Sequence, residues 1–198
     1  MSLDQIVAFA IFAAVAAGTP GPSNVMLTAV GASVGWRRGL PCLVGVAAGM
    51  GALIFVSAFG LGGALLAFPV AVPVMKAAGT LFLIYLAWKI ATSTGVPQAK
   101  KDGAVGFWQA AGFQWINPKA WMAGIGAAAA SIGAAHESVL WDSILLGAIF
   151  AAVGLVVCIP WLVFGSLIRR VLIDPRRRRV FNIIMGGLLA ASAVMFWI

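Results

Sequence analysis

Apolar residues run along this chain in long stretches, over 5–28, 40–67, 70–91, 107–132, 139–168 and 180–198. Each is close to or above the ~20 residues that a helix needs to cross the hydrocarbon of a bilayer. The pattern predicts an all-α integral membrane protein with six transmembrane helices. The polar segment 92–106, with Pro97, Lys100, Lys101 and Asp102, divides it. The expectation is one membrane domain over 1–198, in two halves of three spans (1–91 and 107–198) joined by the loop 92–106. The run from Ile6 to Ala17 with Ala14-Val15-Ala16 could pass for a signal peptide. A signal peptide opens on a basic region, and here there is only Asp4, so an uncleaved first span is expected.

Composition narrows the class further. Of 198 residues, 63% are hydrophobic and 9% charged, against roughly a quarter charged in a soluble domain. Mean hydropathy is +1.06. A soluble enzyme, a nucleic-acid-binding domain and a disordered chain are excluded, and almost nothing is left over for a domain outside the membrane. Most of the thirteen basic residues behind the net charge of +8 mark the connections. Arg37 and Arg38 lie in the first connection, Lys89, Lys100 and Lys101 at the third, and Arg169, Arg170 and Arg176 to Arg179 in the fifth. The second connection has no Lys or Arg, and the fourth has only His136, Glu137 and Asp142. Basic loops stay in the cytoplasm, so odd loops face inward and both termini face outside. Arg176 to Arg179 then form a topology anchor in reach of anionic membrane lipid, and no nucleic-acid partner is expected. Cys42 and Cys158 fall in apolar stretches as small packing residues. With one His in an outer loop and no acid deep in a span, neither an enzyme, a metal site nor a cofactor is expected.

Each half opens on a span broken by proline, at Pro20-Gly21-Pro22 and at Asn117-Pro118-Lys119. Three spans per half invert the second half relative to the first. Gly/Pro-interrupted segments at corresponding positions of inverted halves point to a transporter binding site. A proline removes a backbone donor and frees a carbonyl about a turn earlier, and in hydrocarbon such groups need protein or cavity water. Thr19 adds a hydroxyl at the first break, and Ser23 and Asn24 stand where cap residues belong. The start of the second half-helix would suit a carboxylate. Lys119 lies about twelve residues into its span, where a lysine must be paired or face water. A substrate carboxylate, water in an inward cavity and an interface reached by snorkelling all remain open as its partner. The candidate substrate-binding residues are therefore Thr19, Pro20, Gly21, Pro22, Ser23, Asn24, Asn117, Pro118 and Lys119. Gly45-x-x-x-Gly49, Gly51 and Gly186-Gly187 are expected to permit close helix packing. Trp36, Trp88, Trp108, Trp141 and Trp197 are expected as interface anchors.

Thr19-Pro20-Gly21-Pro22-Ser23-Asn24, Gly35-Trp36-Arg37-Arg38-Gly39 and Gly45-x-x-x-Gly49 together resemble the opening of the LysE/RhtB family of amino-acid exporters. Gly79 with Tyr85-Leu86-Ala87-Trp88-Lys89 resembles its third span, and Phe107-Trp108 through Ile116-Asn117-Pro118-Lys119-Ala120 its fourth. Leu86 to Ser93 is similar to the cysteine/O-acetylserine branch. The resemblance implies proton-driven efflux, by antiport, of a small zwitterionic amino acid across the cell inner membrane, with one half rocking against the other. Met50 and Gly51 stand where many members carry an acidic residue, which argues against basic substrates. A homo-oligomer, a non-transporting anchor subunit and a passive channel remain open.

Overall fold

Proline and glycine set the ends of the helices. The computed structural model describes residues 1–92, 105–131, 139–168 and 174–197, and all regular structure among them is helical. Lys100, Lys101, His136, Glu137, Arg169 and Arg170 lie outside the described residues. Ser2 opens α1 (Leu3–Gly18) in a capping box with Gln5. α1 stops before Pro20, and α2 (Pro22–Val34) starts on a proline at a position whose N–H is not needed. The two are bent by 58°. At Gly35, φ is 83°, a conformation open to glycine and strained for other residues. It turns the chain straight into α3 (Trp36–Val56). Arg37 and Arg38 therefore ride on the first turn of α3, not in a loop.

α3 continues through a π turn at Ser57–Leu61 into α4 (Gly62–Leu66), and α5 (Ala71–Ala91) follows. α6 (Phe107–Phe113) and a 3-10 turn (Gln114–Ile116) precede α7 (Pro118–Ser131). α8 (Val139–Ile168) and α9 (Pro175–Ser192) complete the chain with a short 3-10 turn at Ala193–Phe196. Asp174 caps α9 through the Arg176 amide, 2.9 Å, so the four arginines form a helical first turn. Among the described residues, Trp36–Leu65, Ala71–Ala91 and Val139–Ile168 are long and apolar enough to cross a membrane, as is the bent α1–α2 pair. The expected interface tryptophans are all exposed, and Lys76 lies over the Trp197 ring. The terminal ammonium of Met1 meets the Asp142 carboxylate at 3.4 Å, which places the N-terminus and the start of α8 on one face.

Glycine lets backbones touch. A Cβ on Gly31 would lie 2.1 Å from the Leu162 carbonyl oxygen, and one on Gly165 2.0 Å from that of Thr28, so α2 and α8 meet backbone to backbone. Gly51 and Gly147 join α3 to α8 in the same way, and Gly45 and Gly49 seat α6 on α3. Small residues are the usual means of close approach where water provides no drive for association. Gly165→Ala is therefore expected to cost about 1–3 kcal/mol or more by forcing α2 from α8. Gly187→Ala, which meets nothing within 4 Å, is expected to be neutral. Thermal size-exclusion chromatography of the two variants in detergent checks the contrast.

The interior divides unevenly. One core joins α1, α2, α3, α6, α7 and α8 around Phe9, Leu27, Leu43, Leu53, Phe150 and Leu162. A separate core joins α5 and α9 through Leu83, Ala87, Ile90, Met185 and Leu189. α5 and α9, which lie on opposite sides of the segment 92–106 in the sequence, thus pack against each other. Val25, Met122 and Trp161 of the larger body pack against this α5–α9 arm.

Candidate functional site

The two proline breaks meet inside the larger body. At the first, the carbonyls of residues 17 to 20 have lost their helical partners, and side chains from three other helices replace them. Asn24 of α2 folds back to donate through Nδ2 to the carbonyls of Ala17 (2.9 Å) and Thr19 (2.7 Å). Trp161 of α8 donates its indole N–H to Gly18 at 3.3 Å. Lys119, in the first turn of α7, donates from Nζ to the carbonyls of Thr19 and Pro20, the latter at 3.2 Å. The Cys158 thiol lies 3.8 Å from the Ala17 carbonyl and 3.6 Å from Asn24 Oδ1.

Lys119 therefore has a partner that is not a side chain. The carbonyl end of a helix carries partial negative charge, and the broken α1 offers that end to the ammonium. Neither snorkelling to an interface nor a carboxylate is needed to hold it in this conformation. A Cβ on Gly21 would lie 2.8 Å from Lys119 Cδ and 3.1 Å from its Nζ. Glycine at 21 leaves the space through which the lysine reaches the carbonyls.

At the second break Asn117 is the cap of α7. Its Oδ1 accepts from the Lys119 amide at 3.1 Å, and Pro118 follows at a position suited to proline. Its Nδ2 reaches Ser23 Oγ (3.1 Å) and Gln114 Oε1 (3.2 Å). Ser23 donates to the same Gln114 Oε1 at 2.8 Å, and Gln114 Nε2 donates to the Ala110 carbonyl at 3.0 Å. Ser23, Asn24, Gln114 and Asn117 are all buried. This network ties the start of α2 to the turn before α7.

The expected cap at the first break differs from the structure. Gly21, not Ser23 or Asn24, is the cap position of α2, and no side chain caps it. Ser23 instead bridges to the second break and Asn24 closes the end of α1. Of the residues expected at the site, Gly21, Ser23, Asn24, Asn117 and Lys119 line one small cavity with Met50 and Cys158. Thr19 and Pro20 contribute their carbonyls, and Thr19 turns its own hydroxyl onto the Val15 carbonyl. Pro22 and Pro118 start α2 and α7 and act through the backbone. Gln114, Cys158 and Trp161 were not anticipated. For Gln114 a signal was present: an amide in an apolar segment, three residues before Asn117. The cavity measures about 10 Å³, near the lower limit for one water molecule. The site is closed around Lys119.

Apolar helices interrupted by proline, with the interruptions meeting at a buried polar cluster, are the construction of a membrane transporter. The chain belongs to the LysE family: the model for the LysE type translocator matches residues 14–198. A cysteine/O-acetylserine efflux protein of Salmonella typhi is 28% identical over 188 residues, covering 94% of each chain. One of Escherichia coli (strain UTI89 / UPEC) is 27% identical over the same length and coverage. No solved structure matches. The protein is accordingly a multi-pass membrane translocator and not an enzyme.

Proposed function

We propose that this protein exports a small, neutral, zwitterionic amino acid or close derivative, of the class of cysteine and O-acetylserine, driven by the proton gradient. The architecture we propose for it is a six-span inverted repeat in the cell inner membrane with both termini outside. One observation carries the proposal: the carbonyl end of α1 and the first turn of α2 face a single cavity, with a lysine ammonium between them. A zwitterion needs a site of both signs. Its ammonium would replace that of Lys119 on the Thr19 and Pro20 carbonyls. Its carboxylate would take the Lys119 ammonium together with the N–H end of α2, where a helix dipole favours an anion. The lysine thus holds the empty carrier closed and becomes a substrate ligand when displaced.

The packing suggests which parts move. The α5–α9 arm touches the body at Val25, next to Asn24, at Met122, three residues after Lys119, and at Trp161. Rocking of this arm against the body would reach both breaks at once, whereas the two sequence halves are interlocked by the glycine contacts of α8.

Everted membrane vesicles with an imposed pH gradient test the function. Labelled cysteine, O-acetylserine and serine are supplied outside, with a basic amino acid as the comparison. At least one neutral substrate is expected to accumulate and to be released by a protonophore. Equilibration without accumulation would indicate a passive channel, and no movement of any of them would sink the proposal.

A further inference from the structure

A second cavity, far larger than the first, opens between α8 and α9 on the outside of the body. Its volume is about 740 Å³, and its walls include Trp161, Phe164, Phe181 and Leu188, with Arg176 and Arg177 also lining it. On α9 the lining residues recur at 176/177, 180/181, 184/185 and 188, the spacing of one helix face. From Arg176 to Leu188 that face extends roughly 18 Å at the helical rise per residue. The groove is therefore apolar along most of its length and cationic at the start of α9.

Arg177 Nε lies 3.7 Å from the Asp174 carboxylate, while Arg176 has no carboxylate partner among the described residues. Both arginines are exposed residues. A soluble anion would match the arginines but leave the apolar walls bare. An ordinary hydrocarbon chain would match the walls but leave the charge unmet. One ligand satisfies both: we propose that the groove holds an acyl chain of an anionic phospholipid, with its phosphate between Arg176 and Arg177. The wall residue Trp161 also donates to the Gly18 carbonyl at the first break. The lipid would therefore pack on the indole that helps hold the closed site.

Native mass spectrometry of the full-length protein in detergent, titrated with phosphatidylglycerol or phosphatidylcholine, tests the proposal without reference to transport. The parent is expected to retain one phosphatidylglycerol in preference to phosphatidylcholine. Arg176→Gln/Arg177→Gln is expected to weaken that retention on the order of thirtyfold, from about fivefold for each arginine near an anionic headgroup. Ile184→Trp, which fills the groove and leaves the charges in place, is expected to weaken retention of both lipids. Arg179→Gln, outside the groove, is expected to bind like the parent. Equal retention by the parent and the double variant would overturn the assignment, as would an equal loss in Arg179→Gln. So would displacement of the lipid by millimolar inorganic phosphate, which would mark a free-anion site. A dimer that excludes lipid and is broken by Ile184→Trp would assign the groove to a second copy and overturn it too.

Discussion

Replacing Lys119 by methionine should cut active export at least about tenfold while leaving a folded protein. The side chain has two roles at one position. In the closed state its ammonium satisfies the carbonyls of Thr19 and Pro20. In the loaded state, as proposed, it meets the substrate carboxylate. Methionine keeps the apolar stem and loses every donor. Hydrogen bonds to charged groups contribute about 1.5–3 kcal/mol, so losing the one to substrate should weaken binding roughly 10- to 150-fold. The initial rate in everted vesicles at low substrate should fall at least in proportion. Lys119→Arg should recover only part of it, because the space beside Gly21 is matched to a slender amine stem. Stability should fall far less than transport, since a water molecule can take over the freed carbonyls. Initial-rate measurements beside thermal melts separate the two quantities. Parent-like export by Lys119→Met would remove the lysine from the mechanism.

Asn24→Ala should show the opposite balance. Asn24 makes no proposed contact with substrate through its side chain. It closes the end of α1 with two bonds, to the carbonyls of Ala17 and Thr19, and so fixes the bend between α1 and α2. Hydrogen bonds between membrane helices average ~0.6 kcal/mol, whereas a buried acceptor left bare costs about 1–3 kcal/mol. The expected loss is then about 1–4 kcal/mol, a fall in melting temperature of roughly 2–16 °C by the scaling for domains of this size. Export should decline with it, because the first turn of α2 loses its fixed position. Asn24→Asp should not rescue the variant, since a carboxylate cannot donate to a carbonyl. A melting temperature unchanged in Asn24→Ala would show that the bend is held by the prolines alone.

These two residues mark where local chemistry stops being legible in a sequence. The breaks themselves were readable because proline acts on its own backbone, and both lie where Pro20, Pro22 and Pro118 place them. The partner of Lys119 was not readable. A search for a lysine's partner inspects side chains, and here the partner is the main chain of another span. The role of Asn24 was misplaced for a related reason: a cap position is local, but the carbonyls it serves lie before the bend. Gln114 became meaningful only when the two breaks came together, since it bridges Ser23 and Asn117. The close packing at Gly45 and Gly49 was foreseeable, but their contacts on α6 were not. The pairing of α5 with α9 was not readable in the pattern, because apolar residues occupy more of each helix than the one face that is covered.

The separation of the interior into two cores has a mechanical corollary. The body is braced by backbone contacts at Gly31, Gly51, Gly147 and Gly165, which no change of rotamer can relax. If α5 and α9 shift together as a rod, the load passes through Val25, Met122 and Trp161. Each of these adjoins or bonds a residue of a break. The arm is then a lever whose fulcrum sits beside the lysine. A small tilt at the lipid face could unseat one ammonium without straining the frame that carries it.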